Sequence, residues 1–127
     1  MRTLRVGIAS YEAIKAWTMG VAEGAQLVDD STPRIWFVSI ESFARVLSTH
    51  NQALLELIRR EEPKSLAELE TLSGRARSNL SRTLTRMARY GLVELERSKA
   101  GRVVPRVPFD RIELDLDLAR SPTASAA

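Results

Sequence analysis

The side chains best suited to chemistry in this chain are crowded into one stretch, and the chemistry they suit is recognition of a polyanion. Arg75, Arg77, Ser78, Asn79, Ser81, Arg82 and Arg86 stand close together, and Lys99 and Arg102 follow soon after. Five arginines and no acidic residue lie between Arg75 and Tyr90. An arginine can fork onto guanine O6 and N7, an asparagine can read adenine, and a serine hydroxyl can reach bases or phosphates. Carried on a helix, that mixture suits the major groove of duplex DNA. The plainer reading is a solvated arginine face on an ordinary helix. The elements around the run favour DNA.

Those elements read as helix, turn, basic helix and hairpin. Ser65 is a natural N-cap, and Glu68 three residues later can close a capping box. Leu66, Leu69 and Leu72 give the first helix its inner face, and Gly74 supplies a sharp turn. The spacing predicts a second helix over residues 75–90. Leu80, Leu84 and Met87 form its buried stripe, with Ala76 in line one turn earlier. Gly91 ends it, residues 92–96 alternate as a strand, 98–101 turn and 102–104 return. This is the order of a winged helix-turn-helix, with Lys99 and Arg102 at a wing tip that can reach the neighbouring backbone or minor groove.

The charge is distributed accordingly. A formal net charge of +3 over 127 residues is modest. Between Arg75 and Arg106, however, nine basic residues face two acidic ones, a local +7, and the rest of the chain, with ten basic and fourteen acidic, carries −4. A basic patch against a mildly acidic remainder is the footprint of a nucleic-acid binder. The length suits one domain, or one domain with a small appendage. There is no cysteine, which excludes disulfides, thiol nucleophiles and thiolate metal sites. No signal peptide or membrane span is apparent, so the expected location is the cytoplasm.

Before the basic region, Leu4, Val6 and Ile8 alternate over residues 3–8 as a strand. Ser10 caps a helix over 11–22 with Ile14, Trp17 and Val21 inward, Asp29-Asp30 begins a turn, and residues 34–39 form a second strand. Phe43, Val46 and Leu47 face inward from a helix capped by Ser39 or Ser42, and a further helix over 51–61 buries Leu54, Leu55 and Ile58. Near the end, Ile112, Leu114, Leu116 and Leu118 alternate with Glu113, Asp115 and Asp117, a half-buried strand that needs a sheet to join. The chain ends are therefore expected to meet in a small sheet backed by the 11–22 helix. Trp17, Trp36 and Phe37 are either an intramolecular core or completed by a second subunit.

The expected fold class is α+β: a winged helix-turn-helix with a small N-terminal β-α-β unit joined by the C-terminal strand. The β-α-β unit takes residues 1–39 and serves dimerisation, and the DNA-binding domain takes 40–108. The C-terminal strand takes 109–119, packing on the N-terminal unit, and a disordered tail takes 120–127. No catalytic constellation emerges, and neither an enzyme nor a cofactor or metal is expected. His50 is the lone histidine, at the start of a polar helix, and with no second histidine and no cysteine a zinc site is not expected. Asp29-Asp30 and Glu61-Glu62 each sit near a proline, where adjacent carboxylates do not converge. The acidic row Glu113, Asp115 and Asp117 reads as a solvated strand face rather than a metal site.

Residues from about 43 to 118 also resemble MarR-like winged-helix DNA-binding proteins of prokaryotes. The resemblance rests on Leu47-Ser48 with Asn51, on Ser65-Leu66-Ala67-Glu68-Leu69, and on Gly74-Arg75 with Ser78-Asn79-Leu80-Ser81-Arg82-Thr83-Leu84. It continues through Tyr90-Gly91-Leu92-Val93-Glu94-Leu95 to Phe109-Asp110-Arg111-Ile112. It implies major-groove contacts from residues 75–86 and a wing target for residues 99–102. Some members lie beside TumE-type toxins, so the resemblance also implies a TumA-type antitoxin as one possibility. The resulting expectation is a sequence-specific transcriptional regulator, a homodimer on double-stranded DNA at its own or a nearby promoter. The alternative is an antitoxin that neutralises a cognate toxin and uses DNA binding for autoregulation.

Overall fold

A computed structural model describes residues 2–22, 24 and 32–118. The Asp29-Asp30 turn and the tail over 120–127 lie outside the described residues, as does the side chain of Val21. In chain order the elements are β1 (Thr3–Ile8), α1 (Tyr11–Ala22), β2 (Ile35–Phe37), α2 (Ile40–Val46), α3 (Thr49–Glu61), α4 (Leu66–Ser73), α5 (Arg77–Arg89), β3 (Glu94–Arg97), β4 (Val103–Arg106) and β5 (Arg111–Asp115). The fold is α+β. It divides into two compact units: one runs to Arg45 and resumes at Phe109, and the other is Val46–Pro108. Among the described residues no helix is long and apolar enough to cross a membrane.

In the first unit, β1, β2 and β5 form a parallel sheet in the order β2-β1-β5. A parallel pair needs a crossover, and α1, capped by the Ser10 hydroxyl at 3.1 Å from the Ala13 N–H, supplies it between β1 and β2. Val6 lies opposite both Ile35 and Leu114, and Gly7 opposite Trp36 and Asp115. Alternation puts Leu4, Val6, Ile35 and Phe37 on one face, and all four are buried. Phe37 meets Phe43 of α2 edge to face, with ring centroids 5.3 Å apart. That contact holds Phe43 within this unit, which runs to Arg45. On the other face, the Trp36 indole lies over Gly7 and tilts against Trp17 of α1 at 5.6 Å. Phe37 is buried within the chain at 1% exposure, and the two tryptophans are half-buried.

Two pairs of groups set the register of β5. The Arg2 N–H donates to Asp110 Oδ2 at 2.7 Å, and the Asp110 N–H donates back to the Arg2 carbonyl at 2.8 Å. Further along, Arg5 meets its register partner Glu113 at 3.2 Å, and Arg111 reaches the same carboxylate at 3.3 Å. The acidic row is thus partly neutralised by arginines. The strand is shorter than the expected 112–118, because pairing with β1 stops at Gly7–Asp115. Its apolar face is also more open than expected: Leu114 is 42% and Leu118 85% exposed. A strand with a neighbour on one side only leaves its outer flank uncovered.

The second unit is built on α3, α4 and α5. Leu54, Leu55 and Ile58 of α3, Leu69 of α4 and Leu80, Leu84 and Met87 of α5 are all buried, with Leu92 and Val93 following them. Leu72 was expected on the inner face of α4 but is 41% exposed. Residues three apart drift by about 60° per step around a helix of 3.6 residues per turn, so Leu66, Leu69 and Leu72 cannot share one narrow face. Gly91, at φ 81°, closes α5: its N–H bonds the Ala88 carbonyl at 3.0 Å, and the Leu92 N–H bonds Met87 at 2.9 Å. That is a Schellman cap anchored by two buried side chains. β3 and β4 then form an antiparallel hairpin pairing Glu94 with Arg106 and Arg97 with Val103. Pro105 sits within this two-stranded ribbon opposite Leu95, a position with no third strand to serve.

The close approach of Trp36 to Gly7 generates a stability test. A Cβ at residue 7 would stand 2.5 Å from Trp36 Cζ3. Gly7→Ala therefore forces the indole off Trp17 and is expected to cost about 1–3 kcal/mol, the usual range for overpacking. The loss is read as a lower denaturation midpoint followed by tryptophan fluorescence.

Candidate nucleic-acid interface

The interface begins with what holds α5 in place. α4 starts at Ser65, whose hydroxyl accepts from the Glu68 N–H at 3.1 Å. The expected capping box is only half made: Glu68 Oε2 accepts from the Lys64 N–H at 3.4 Å rather than from Ser65. Gly74, at φ 73°, ends α4 with its N–H on the Glu70 carbonyl at 2.9 Å. A three-residue turn, Gly74-Arg75-Ala76, leads into α5. Ala76 is its N-cap, in extended backbone, and has no side chain to cap with. It is exposed, not part of the buried stripe as its spacing suggested, since the helical period does not extend through an extended residue. Glu70 supplies the missing cap from the preceding helix. Its Oε2 accepts from the Arg77 N–H at 2.8 Å, and Oε1 lies 3.5 Å from the Arg77 guanidinium. A carboxylate there also suits the positive end of the helix dipole.

Burial of Leu80, Leu84 and Met87 turns the opposite side of α5 outward. Ser78, Arg82 and Arg86, four residues apart, form one exposed row, and Ser81, Thr85 and Arg89 form another beside it, with Asn79 exposed as well. Among the described residues, the side chains of Arg82, Arg86 and Arg89 make no ion pair or hydrogen bond. From Ser78 to Arg89 the helix rises ~16 Å at 1.5 Å per residue, enough to span about five base pairs at 3.4 Å each. Thr85 was missed by sequence reasoning, although its position one turn beyond Ser81 on the same row was the available signal.

The hairpin carries its own cations. The turn is closed by the Ser98 N–H on the Arg102 carbonyl at 2.8 Å and by Gly101 at φ 78°. Arg97 donates to the Gly101 carbonyl at 3.0 Å, and Arg106 pairs with Glu96 at 2.9 Å. These two arginines serve the hairpin, whereas the exposed Lys99 and Arg102 have no side-chain ion pair among the described residues. Arg77 and Arg102, far apart in sequence, line one open cleft of about 450 Å³ with Ser65, Leu66, Ala67 and Val103.

Arg75 departs from expectation. It precedes α5 instead of riding on its outer face, and its guanidinium turns inward. Nη2 donates to Asn51 Oδ1 at 3.0 Å and to the His50 carbonyl at 3.3 Å. Burial lowers its pKa from the ordinary arginine value. His50 is exposed and enters this contact only through its backbone. Among the described residues no three His, Cys, Asp or Glu side chains gather in a way that could hold a metal ion.

The borrowed cap has a measurable weight. Glu70→Ala removes the acceptor of the Arg77 N–H and is expected to destabilise the protein by about 0.5–2 kcal/mol, the range for losing an N-cap. Glu70→Gln keeps an acceptor and should lose less. Urea midpoints of the two variants provide the comparison.

A family model described as HVO_A0114 matches residues 46–114, more than half of the chain. No curated protein and no solved structure matches it. The matched stretch takes in α3, α4, α5 with its basic face, and the hairpin, and the chain belongs to the HVO_A0114 family.

Proposed function

We propose that this protein is a sequence-specific, DNA-binding transcriptional regulator in which Val46–Pro108 acts as a MarR-like winged helix-turn-helix. α4 is the supporting helix, α5 the reading helix and the β3–β4 hairpin the wing. The observation that carries the reading is the exposed row Ser78, Arg82 and Arg86, with no acidic residue on α5 and a buried stripe behind it. Arg82 and Arg86 are free to fork onto guanine edges or phosphates, and Asn79 to pair with adenine. Lys99 and Arg102 at the hairpin tip supply backbone contacts that fix orientation without reading sequence.

A two-fold dimer suits this reading, because it places two reading helices on successive turns of the groove. The exposed Val38, Ile40, Leu114 and Leu116 of the first unit support protein contacts there, with a second copy of the chain as the partner. The same apolar residues favour a second reading, in which that unit binds and neutralises a toxin and DNA binding is autoregulation. Co-elution of the full-length chain with the product of an adjacent reading frame distinguishes the two.

Changing Arg82 and Arg86 together to Ala should abolish the mobility shift of duplex DNA from upstream of the reading frame while leaving the thermal midpoint unchanged. Each arginine that reaches a base is worth roughly 1–3 kcal/mol of binding. Each one that neutralises a phosphate should flatten the salt dependence by about one unit of slope. An unaltered shift in the double variant removes α5 as the reading face.

A further inference from the structure

We infer that Arg75 is a positioning residue: anchored on the first turn of α3, it fixes the turn from which α5 presents Arg82 and Arg86 to duplex DNA. This inference rests on the DNA-binding reading above. Arg75 differs from the other arginines of the basic run in where its charge goes. One terminal guanidinium nitrogen, Nη2, bridges the His50 carbonyl and Asn51 Oδ1, and the second terminal nitrogen, Nη1, is buried with no hydrogen-bond partner among the described residues. Asn51 is itself held, its amide donating to the Val46 carbonyl at 2.9 Å and its N–H to the Ser48 hydroxyl at 3.2 Å. On the other side, the Arg75 N–H donates to the Ser73 hydroxyl at 3.1 Å. The residue is therefore pinned at both ends, between the end of α4 and the start of α3.

Energetically the placement is poor for anything but geometry. The cation sits at the positive end of the α3 dipole, in a first turn with no acidic residue. One of its donors is desolvated without compensation, which opposes burial of the charge. A local rule broken twice in one place marks a site kept for another purpose. The purpose on hand is the turn itself. Ala76 offers α5 no side-chain cap, so beyond the buried stripe the side chains that hold the approach to the reading helix are Arg75 and the Glu70 carboxylate. Both acceptors are met by Nη2 alone, held at the end of a planar, pre-organised guanidinium whose reach and direction a lysine ammonium on a flexible stem does not reproduce.

The test uses the full-length protein and the duplex upstream of its own reading frame, with binding followed by anisotropy over a salt series. Arg75→Met and Arg75→Lys should both weaken binding roughly tenfold, the scale of a lost hydrogen bond to a charged group. Their log–log salt slope should match the wild type, whereas Arg82→Ala flattens it. Asn51→Ala should cost less in the Arg75→Met background than alone. Amide exchange over residues 76–80, measured without DNA, should accelerate in both Arg75 variants. Binding restored by Lys, with a flatter slope for Met, would make Arg75 a phosphate contact and overturn the inference. Unchanged exchange and affinity in both variants would overturn it as well. If the wild-type protein binds no duplex, the DNA-binding reading falls and takes the presenting role with it, while accelerated exchange would still establish the clamp on α5.

Discussion

The arrangement of the second unit depends on burying one narrow stripe of one helix. Leu80, Leu84 and Met87 are removed from water in a core that also takes in Leu54, Leu55, Ile58 and Leu69. Each such side chain contributes about 1.5–3 kcal/mol through burial, far more than any ion pair on the same helix. Rotation of α5 about its axis would expose that stripe, so its orientation is fixed by the core and not by its arginines. The outward direction of Ser78, Arg82 and Arg86 follows from what lies behind them. Function, in the proposed reading, is the unburied remainder of a packing solution.

Electrostatics then refines what packing has decided. Within the basic run the arginines divide by partner: Arg75 is drawn to the start of α3, Arg77 to Glu70, and Arg97 and Arg106 to acceptors within the hairpin. Arg82, Arg86 and Arg89 are left without a protein acceptor among the described residues. A count of basic residues would treat all of these alike. The structure separates those bound to acceptors of the scaffold from those left exposed.

Much of this was legible in the sequence, and the losses have physical causes. The stripe at Leu80, Leu84 and Met87, the cap at Ser65, the turns at Gly74 and Gly91 and the hairpin turn are local signals within a few residues of their effect, and they appear where expected. The strand pattern of Thr3–Ile8 and the membership of β5 in the same sheet were equally readable. What could not be read is set by partners distant in sequence. Arg75 was placed on the outer face because nothing near it announces Asn51 as its acceptor. The role of Glu70 at the start of α5 depends on a turn that folds one helix end back toward another. The extent of β5 was overestimated because alternation continues through Leu118, whereas pairing is limited by the length of β1.

The pairing of Thr3 with Arg111 carries a consequence for how the molecule is made. The second unit is built from the continuous stretch Val46–Pro108, whereas the sheet of the first cannot gain its third strand until β5, which follows that stretch, has been made. During synthesis the inserted unit can therefore settle while its host still waits for its last strand, the order expected when pairings of long sequence separation are the slow ones. Until then β1 has an open edge beside Val6 and Gly7, and nascent chains of this protein are most exposed to mispairing along that edge.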